Sequence, residues 1–130
     1  MLALLVAAGS AVGGALRYVV GVALQQRLVT VFPYGTLTVN VTGSLLAGFL
    51  VRYLLQSPLG TPEVRALLLT GFCGGYTTFS AFSFESVQLF QEGDYWRGTL
   101  NVLLNVVCSL GAAVLGFLLA QELLLLRRRF

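Results

Sequence analysis

The sequence predicts an all-α integral membrane protein with four transmembrane helices and a break in the third. Three observations carry that prediction. The chain has 130 residues, of which 57% are hydrophobic and 10% charged, whereas soluble domains carry about 25% charged residues. Its apolar stretches are separated by short connections, leaving room for four spans of roughly 20 residues each and for no extramembrane domain. The run Gly71 to Glu85 then places adjacent glycines, two threonines, two serines, several phenylalanines and a glutamate at membrane depth. Polar and helix-loosening residues are costly there and line a path or a site.

The chain reads as one four-span membrane domain over residues 1–130. Span one covers about 2–24, hydrophobic from Leu2 with no basic segment before it, and is expected to be retained rather than cleaved as a signal. Gly9 and Gly13 make a GxxxG step, with Gly14 and Gly21 as further small sites for close helix approach. Arg17 lies inside this span and must snorkel, pair or face water. Pro33-Tyr34-Gly35 marks a turn. Span two covers about 36–55, where Thr36, Asn40, Gly43 and Ala47 share one small, polar face. An unmet amide at Asn40 would cost several kcal/mol, roughly 2–7, so it needs a partner.

Arg52, Pro58, Gly60, Pro62 and Arg65 mark the middle connection. Span three covers about 64–91. Gly74-Gly75 followed by two threonines is poor helix sequence, which predicts a break there, free backbone carbonyls, and helix again from about Ser80. Such carbonyls are tolerated in a membrane when buried in protein, facing a cavity, or bound to a cation. Gly93-Asp94 forms the last loop. Span four covers about 96–126, roughly 46 Å as a helix, so it tilts or projects beyond the bilayer. Asn101, Asn105 and Ser109 recur every four residues as a polar stripe, and Tyr95 and Trp96 suit an interfacial belt.

The charges exclude several functions. The net charge is +3 and every basic residue is Arg, dispersed except for Arg127-Arg128-Arg129. That is no nucleic-acid footprint, and the terminal cluster suits anionic headgroups. An up-down arrangement puts Arg52, Arg65 and the terminal cluster on one side and Arg27 and Arg97 on the other, with Arg17 nearby. This bias modestly favours cytoplasmic termini. There is no His and no Lys, and Cys73 and Cys108 lack metal-ligand spacing. Nothing sets a nucleophile beside a base, so an enzyme is not expected. Four helices are filled by their own side chains. The surplus polar residues on spans two to four therefore predict a homo-oligomer, most simply a dimer.

These pieces resemble the small bacterial fluoride channels of the Fluc (CrcB) family. The resemblance rests on Gly13 to Tyr18, Gly35 to Ser44 and Gly71 to Ser83, above all on Gly74-Gly75-Tyr76-Thr77-Thr78-Phe79-Ser80-Ala81-Phe82-Ser83. It covers nearly the whole chain in order and length. It implies an antiparallel dual-topology homodimer in a bacterial or archaeal plasma membrane, in contact with lipid. Such a dimer has two fluoride pores and exports cytoplasmic fluoride passively. It also implies a structural sodium ion at the dimer centre, held by main-chain carbonyls of Gly74 and Thr77 from both copies.

The resemblance further implies that Asn40, Phe79 and Phe82 contact fluoride. Phenyl rings carry a positive edge, and Asn40 offers amide donors. Thr38 and Ser80 match a polar track, and Asn101 and Asn105 stand where relatives usually have Tyr and Ser. Ala81 stands where Thr is frequent. Arg17 would form an electropositive vestibule that gathers anions, or else pair with Glu85. Two rivals remain beside this reading. A small proton-coupled multidrug exporter needs a carboxylate in span one, and this chain has Arg17 there and no acid. A non-conducting scaffold would explain the small-residue faces but not the Gly-Gly-Tyr-Thr-Thr-Phe-Ser run.

Overall fold

The computed structural model describes residues 1–127 and is helical throughout, so Arg128 and Arg129 of the terminal basic cluster lie outside the described residues. The elements are α1 (Leu2–Leu28), α2 (Tyr34–Gln56), α3 (Pro62–Arg65), a π-helical segment π1 (Ala66–Cys73), α4 (Gly74–Tyr76), α5 (Phe79–Gln91) and α6 (Tyr95–Arg127). α1, α2 and α6 are each long and apolar enough to cross a membrane. The path from α3 to α5 is a bent, interrupted helical stretch between α2 and α6. This is a helical membrane protein.

α1 continues past Leu24 to Leu28 and ends where Val29 adopts φ 43°, its N–H donating to the Gln25 carbonyl. The Gln25 side-chain amide holds the following loop by donating to the carbonyls of Thr30 (2.6 Å) and Phe32 (3.2 Å). Pro62 opens α3 behind a Thr61 cap, a position where a missing N–H costs nothing. At the far end, α5 closes on Gly93 (φ 81°), with Asp94 N–H returning to the Leu89 carbonyl at 2.9 Å, the bonding of a left-handed helix stop.

Asp94 then caps α6. Its carboxylate accepts the Arg97 backbone N–H (3.1 Å) and the Arg97 guanidinium. Those hydrogen bonds, backbone first, hold the Asp94 carboxyl below its ordinary value. The group is depressed in the folded state, so its contribution is complete above the ordinary carboxylate range and disappears as pH falls through the lower folded value. An Asp94→Asn variant is therefore expected to lower Tm at pH 7 and to narrow the difference from the parent as pH falls below about 4. A melting series from pH 7 to 3 in detergent checks this; a gap that widens toward acid would refute it.

Glycines set which helices touch. A Cβ on Gly9 would overlap the Leu67 carbonyl oxygen, and one on Gly13 the Phe72 carbonyl oxygen. A Cβ on Gly75 would lie 2.7 Å from Ser10 Cα. α1 and the π1–α4 stretch thus run side by side in the same direction, backbone against backbone. α2 and α6 also run in the same direction, from Asn40 beside Asn105 to Tyr53 beside Arg127, with Gly48 and Gly116 at the close crossing between them. α5 returns antiparallel to α6, where the Phe90 ring covers Gly98. Without a hydrophobic drive between helices in lipid, this close packing is what holds them. The interior is small and partly polar: Val39 and Asn101 are its largest fully buried side chains.

The break falls within the expected Gly-Gly-Tyr-Thr-Thr stretch, but on its threonines rather than its glycines. Gly74 and Gly75 stay helical, and the extended residues are Thr77 (ψ 160°) and Thr78 (φ −150°, ψ 115°). Gly75 serves close approach to α1 rather than unwinding, while Gly74 is exposed. The threonines interrupt the helix because each has a competing use for its side chain. Thr77 Oγ1 donates back to the Cys73 carbonyl (3.0 Å), and Thr78 Oγ1 accepts the Ala81 N–H (3.1 Å) and so caps α5. Helix resumes at Phe79, one residue before Ser80.

Candidate functional site

A broken helix inside a membrane leaves backbone groups that something must satisfy. Here that partner is Asn40 of α2. Its Oδ1 accepts the Thr78 N–H at 2.8 Å, and its Nδ2 donates to the Thr78 carbonyl at 3.0 Å. One amide thus meets both polar groups of one residue at the break. Gly43, one turn further along α2, lets the helix approach: a Cβ there would overlap Thr77 Cγ2 and lie 2.9 Å from the Tyr76 ring.

The polar stripe of α6 continues the chain of hydrogen bonds. Asn40 Nδ2 also donates to Asn105 Oδ1 (2.9 Å). Asn105 Nδ2 donates to Asn101 Oδ1 (2.8 Å) and to the Asn101 carbonyl (3.1 Å). Asn101 Nδ2 donates to Ser86 Oγ (2.9 Å), which donates to the Phe82 carbonyl (2.7 Å). Asn40, Asn101, Asn105, Thr78 and Ser86 are all buried. The backbone of Thr78 fixes the orientation of Asn40, and each amide fixes the next.

Two cavities flank Thr78. One, of about 380 Å³, is lined by Arg17, Gln25, Thr36, Thr78, Ala81 and Glu85 among others. Arg17 donates to the Thr77 carbonyl at 3.3 Å, and Glu85 Oε1 accepts the Thr36 hydroxyl at 2.6 Å. The direct Arg17–Glu85 pair does not form; Arg97–Asp94 is the single ion pair among the described residues. The second Glu85 oxygen is buried without a partner.

The other cavity, of about 320 Å³, is lined by Asn40, Phe79, Phe82, Asn105, Ser109 and Thr78, and no charged side chain lines it. The two phenyl rings lie 5.3 Å apart at 67°, edge toward face. Phe82 is buried, while Phe79 is 78% exposed.

The structure therefore brings Asn40, Phe79, Phe82 and Asn105 to one cavity, and Arg17 to the neighbouring one. Asn101 lies wholly behind Asn105 and reaches neither cavity. Ser80 is exposed, its Oγ 3.2 Å from the Thr78 hydroxyl. Thr38 lines neither cavity; its carbonyl accepts the Thr42 hydroxyl at 2.7 Å. Sequence reasoning placed Ser109 on the polar stripe but not among the site residues; its Oγ is buried at the cavity wall with no partner. Its place on the Asn101–Asn105 stripe was the available signal. Thr78, whose backbone the whole arrangement serves, was likewise not singled out as a site residue.

The carbonyls proposed for a cation can be tested against the geometry. Thr78 N–H goes to Asn40, so the Gly74 carbonyl lacks its donor one turn on. Gly74 is exposed, and a Cβ there would meet only the Leu69 carbonyl oxygen, at 3.9 Å. The Thr77 carbonyl carries Arg17 and keeps a second lone pair. Among the described residues no group of three His, Cys, Asp or Glu side chains could hold a metal. The donors are neutral oxygens, which suit a hard cation.

The profile of the family described as CrcB-like protein, Camphor Resistance (CrcB), matches residues 4–117. A fluoride-specific ion channel FluC of Rhizobium meliloti is 44% identical over 92% of this chain and 96% of its own length. Proteins of the same name from Coxiella burnetii (45% identical, 92% of this chain, 98% of theirs) and Clostridium perfringens (39%, 95% and 96%) are similar over equal extents. With the profile and these relatives spanning nearly all of the sequence that builds the break and both cavities, the chain belongs to the CrcB-like family.

Proposed function

We propose that this chain is a fluoride-selective channel of the plasma membrane that lets cytoplasmic fluoride leave passively. One observation carries the reading. The cavity beside the break is lined by an amide, phenyl rings and a free hydroxyl, without any charged side chain. An anion there meets the Ser109 hydroxyl and positive ring edges, which hold it less tightly than an Arg would and so allow release. The relatives' shared name supports fluoride as the ion.

Two copies in antiparallel orientation would cover the exposed Phe79 and the open face at Gly74 and would form two pores. The Gly74 and Thr77 carbonyls of both copies would hold a sodium ion, which when bound supplies fixed positive charge at the interface. Arg17, in the adjoining cavity, raises anion concentration at the approach. Glu85 lines the same cavity with its free oxygen and opposes anions, so Arg17 and Glu85 together set the local potential. Fluoride then passes from the Arg17 cavity along Thr78 toward the Phe79–Phe82 rings.

The test is efflux from liposomes holding the purified protein, read with a fluoride electrode against chloride-loaded controls. Fluoride release without chloride release is expected. Phe79→Ile and Phe82→Ile, which replace ring edges with aliphatic carbon, are expected to slow it at least tenfold, an effect near one hydrogen bond to a charged group. Well-folded protein that releases neither ion would sink the channel reading and leave the scaffold.

A further inference from the structure

Asn40 has two amide hydrogens, and both are engaged. One goes to the Thr78 carbonyl and one to Asn105 Oδ1. An anion in the cavity therefore meets no free donor on Asn40 until one of these bonds opens. The Thr78 bond belongs to the break itself, and opening it would leave a main-chain carbonyl unpaired in the membrane interior. The Asn105 bond is side chain to side chain, and Asn105 lines the same cavity. We infer that Asn105 is a positioning residue: it occupies the second hydrogen of Asn40 when no anion is present and gives it up to the permeating anion.

The chemistry favours that exchange. An anion is a stronger acceptor than a neutral amide oxygen, and charge-assisted hydrogen bonds are about twice as strong as neutral ones. Asn105 cannot turn its own donors toward the anion at little cost, because both already serve Asn101. Its displaced Oδ1 is left without a donor, so the occupied state stays loosely held. When the anion departs, the Asn40–Asn105 bond re-forms and keeps the amide aimed at the rings. Asn101 and Ser86 act one step behind, fixing which end of Asn105 faces Asn40.

This inference rests on the reading of Asn40 as an anion contact, and the experiment separates the two. In Asn105→Ser the hydroxyl bonds back to the Asn101 carbonyl and no longer reaches Asn40, freeing one amide hydrogen. The fluoride concentration giving half-maximal efflux is expected to fall roughly three- to tenfold, the size of one net hydrogen bond, with no gain in maximal flux. Asn105→Ala supplies the same comparison if the serine variant folds poorly.

A merely structural role would lower the fraction of active liposomes and leave half-saturation in place. That outcome, with Asn40→Asp still abolishing efflux, overturns the inference and keeps the Asn40 reading. Parental efflux from Asn40→Asp would overturn both. A fall in half-saturation for Asn105→Ser at unchanged maximal flux, with Asn40→Asp silent, supports the inference.

Discussion

Asn40→Leu is expected to abolish fluoride efflux and to lower stability by about 3–5 kcal/mol. The magnitude follows from what the amide holds. Leucine leaves the Thr78 N–H, the Thr78 carbonyl and Asn105 Oδ1 without partners, and each buried polar group so stranded costs about 1–3 kcal/mol. Relaxation around the break and water entry return part of that sum. Asn40→Asp keeps the Thr78 N–H acceptor while losing both donors and adding negative charge. It is expected to melt closer to the parent yet remain silent in efflux. Thermal unfolding in detergent, paired with liposome efflux, separates the two effects. A leucine variant that melts with the parent would show that the break does not depend on this amide.

The second large effect is at the α1 crossing. Gly13→Ala is expected to cost about 2–4 kcal/mol, in the upper range for overpacking. The added methyl would overlap the Phe72 carbonyl oxygen and lie 2.8 Å from the Tyr76 N, both main-chain atoms that no rotamer change can move. Gly21→Ala and Gly111→Ala are the matched controls. A Cβ at either meets nothing within 4 Å, so each is expected to be neutral or to stabilise by up to about 1 kcal/mol through helix propensity. Size-exclusion profiles after graded heating rank the three. Equal survival of Gly13→Ala and Gly111→Ala would refute close backbone contact as the basis of this crossing.

The apolar spans were legible because composition alone demands burial in lipid, and no tertiary contact is needed to see it. The break was legible as a region but not to the residue. Glycine favours both unwinding and close approach, and the sequence around Gly74-Gly75 does not say which one applies. The packing of Gly75 on Ser10 decides it, and that contact spans residues far apart in the chain. The threonines, whose side chains bond to Cys73 and Ala81, then take the interruption.

The candidate site divides in the same way. Asn40, Phe79 and Phe82 stand out by type and motif, and one cavity holds all three. Asn101 and Asn105 stand out equally as a stripe, yet a stripe shows only that two residues share a helix face. Whether each reaches a cavity depends on the neighbour in front, and Asn105 stands in front of Asn101. Ser109 is an ordinary helix serine until its missing partner is seen. Glu85 reads as an ion-pair candidate from charge alone. In the fold its contact is the Thr36 hydroxyl, because Arg17 turns to the Thr77 carbonyl.

The pairing of helices also bears on what each segment depends on. α1 packs most closely on the π1–α4 stretch and α2 on α6, each separated from its partner by an intervening passage. α1 and α2 touch each other where Gly35 meets the Gly21 carbonyl, but the closest packing of each is with a segment that follows later in the chain. Both are apolar enough to stand in a bilayer as single helices. The interrupted passage is different: its Thr78 main chain is bonded by Asn40 of α2. The interrupted segment therefore has its main chain satisfied only with α2 in place, and Asn105 of α6 completes the hydrogen-bonded set.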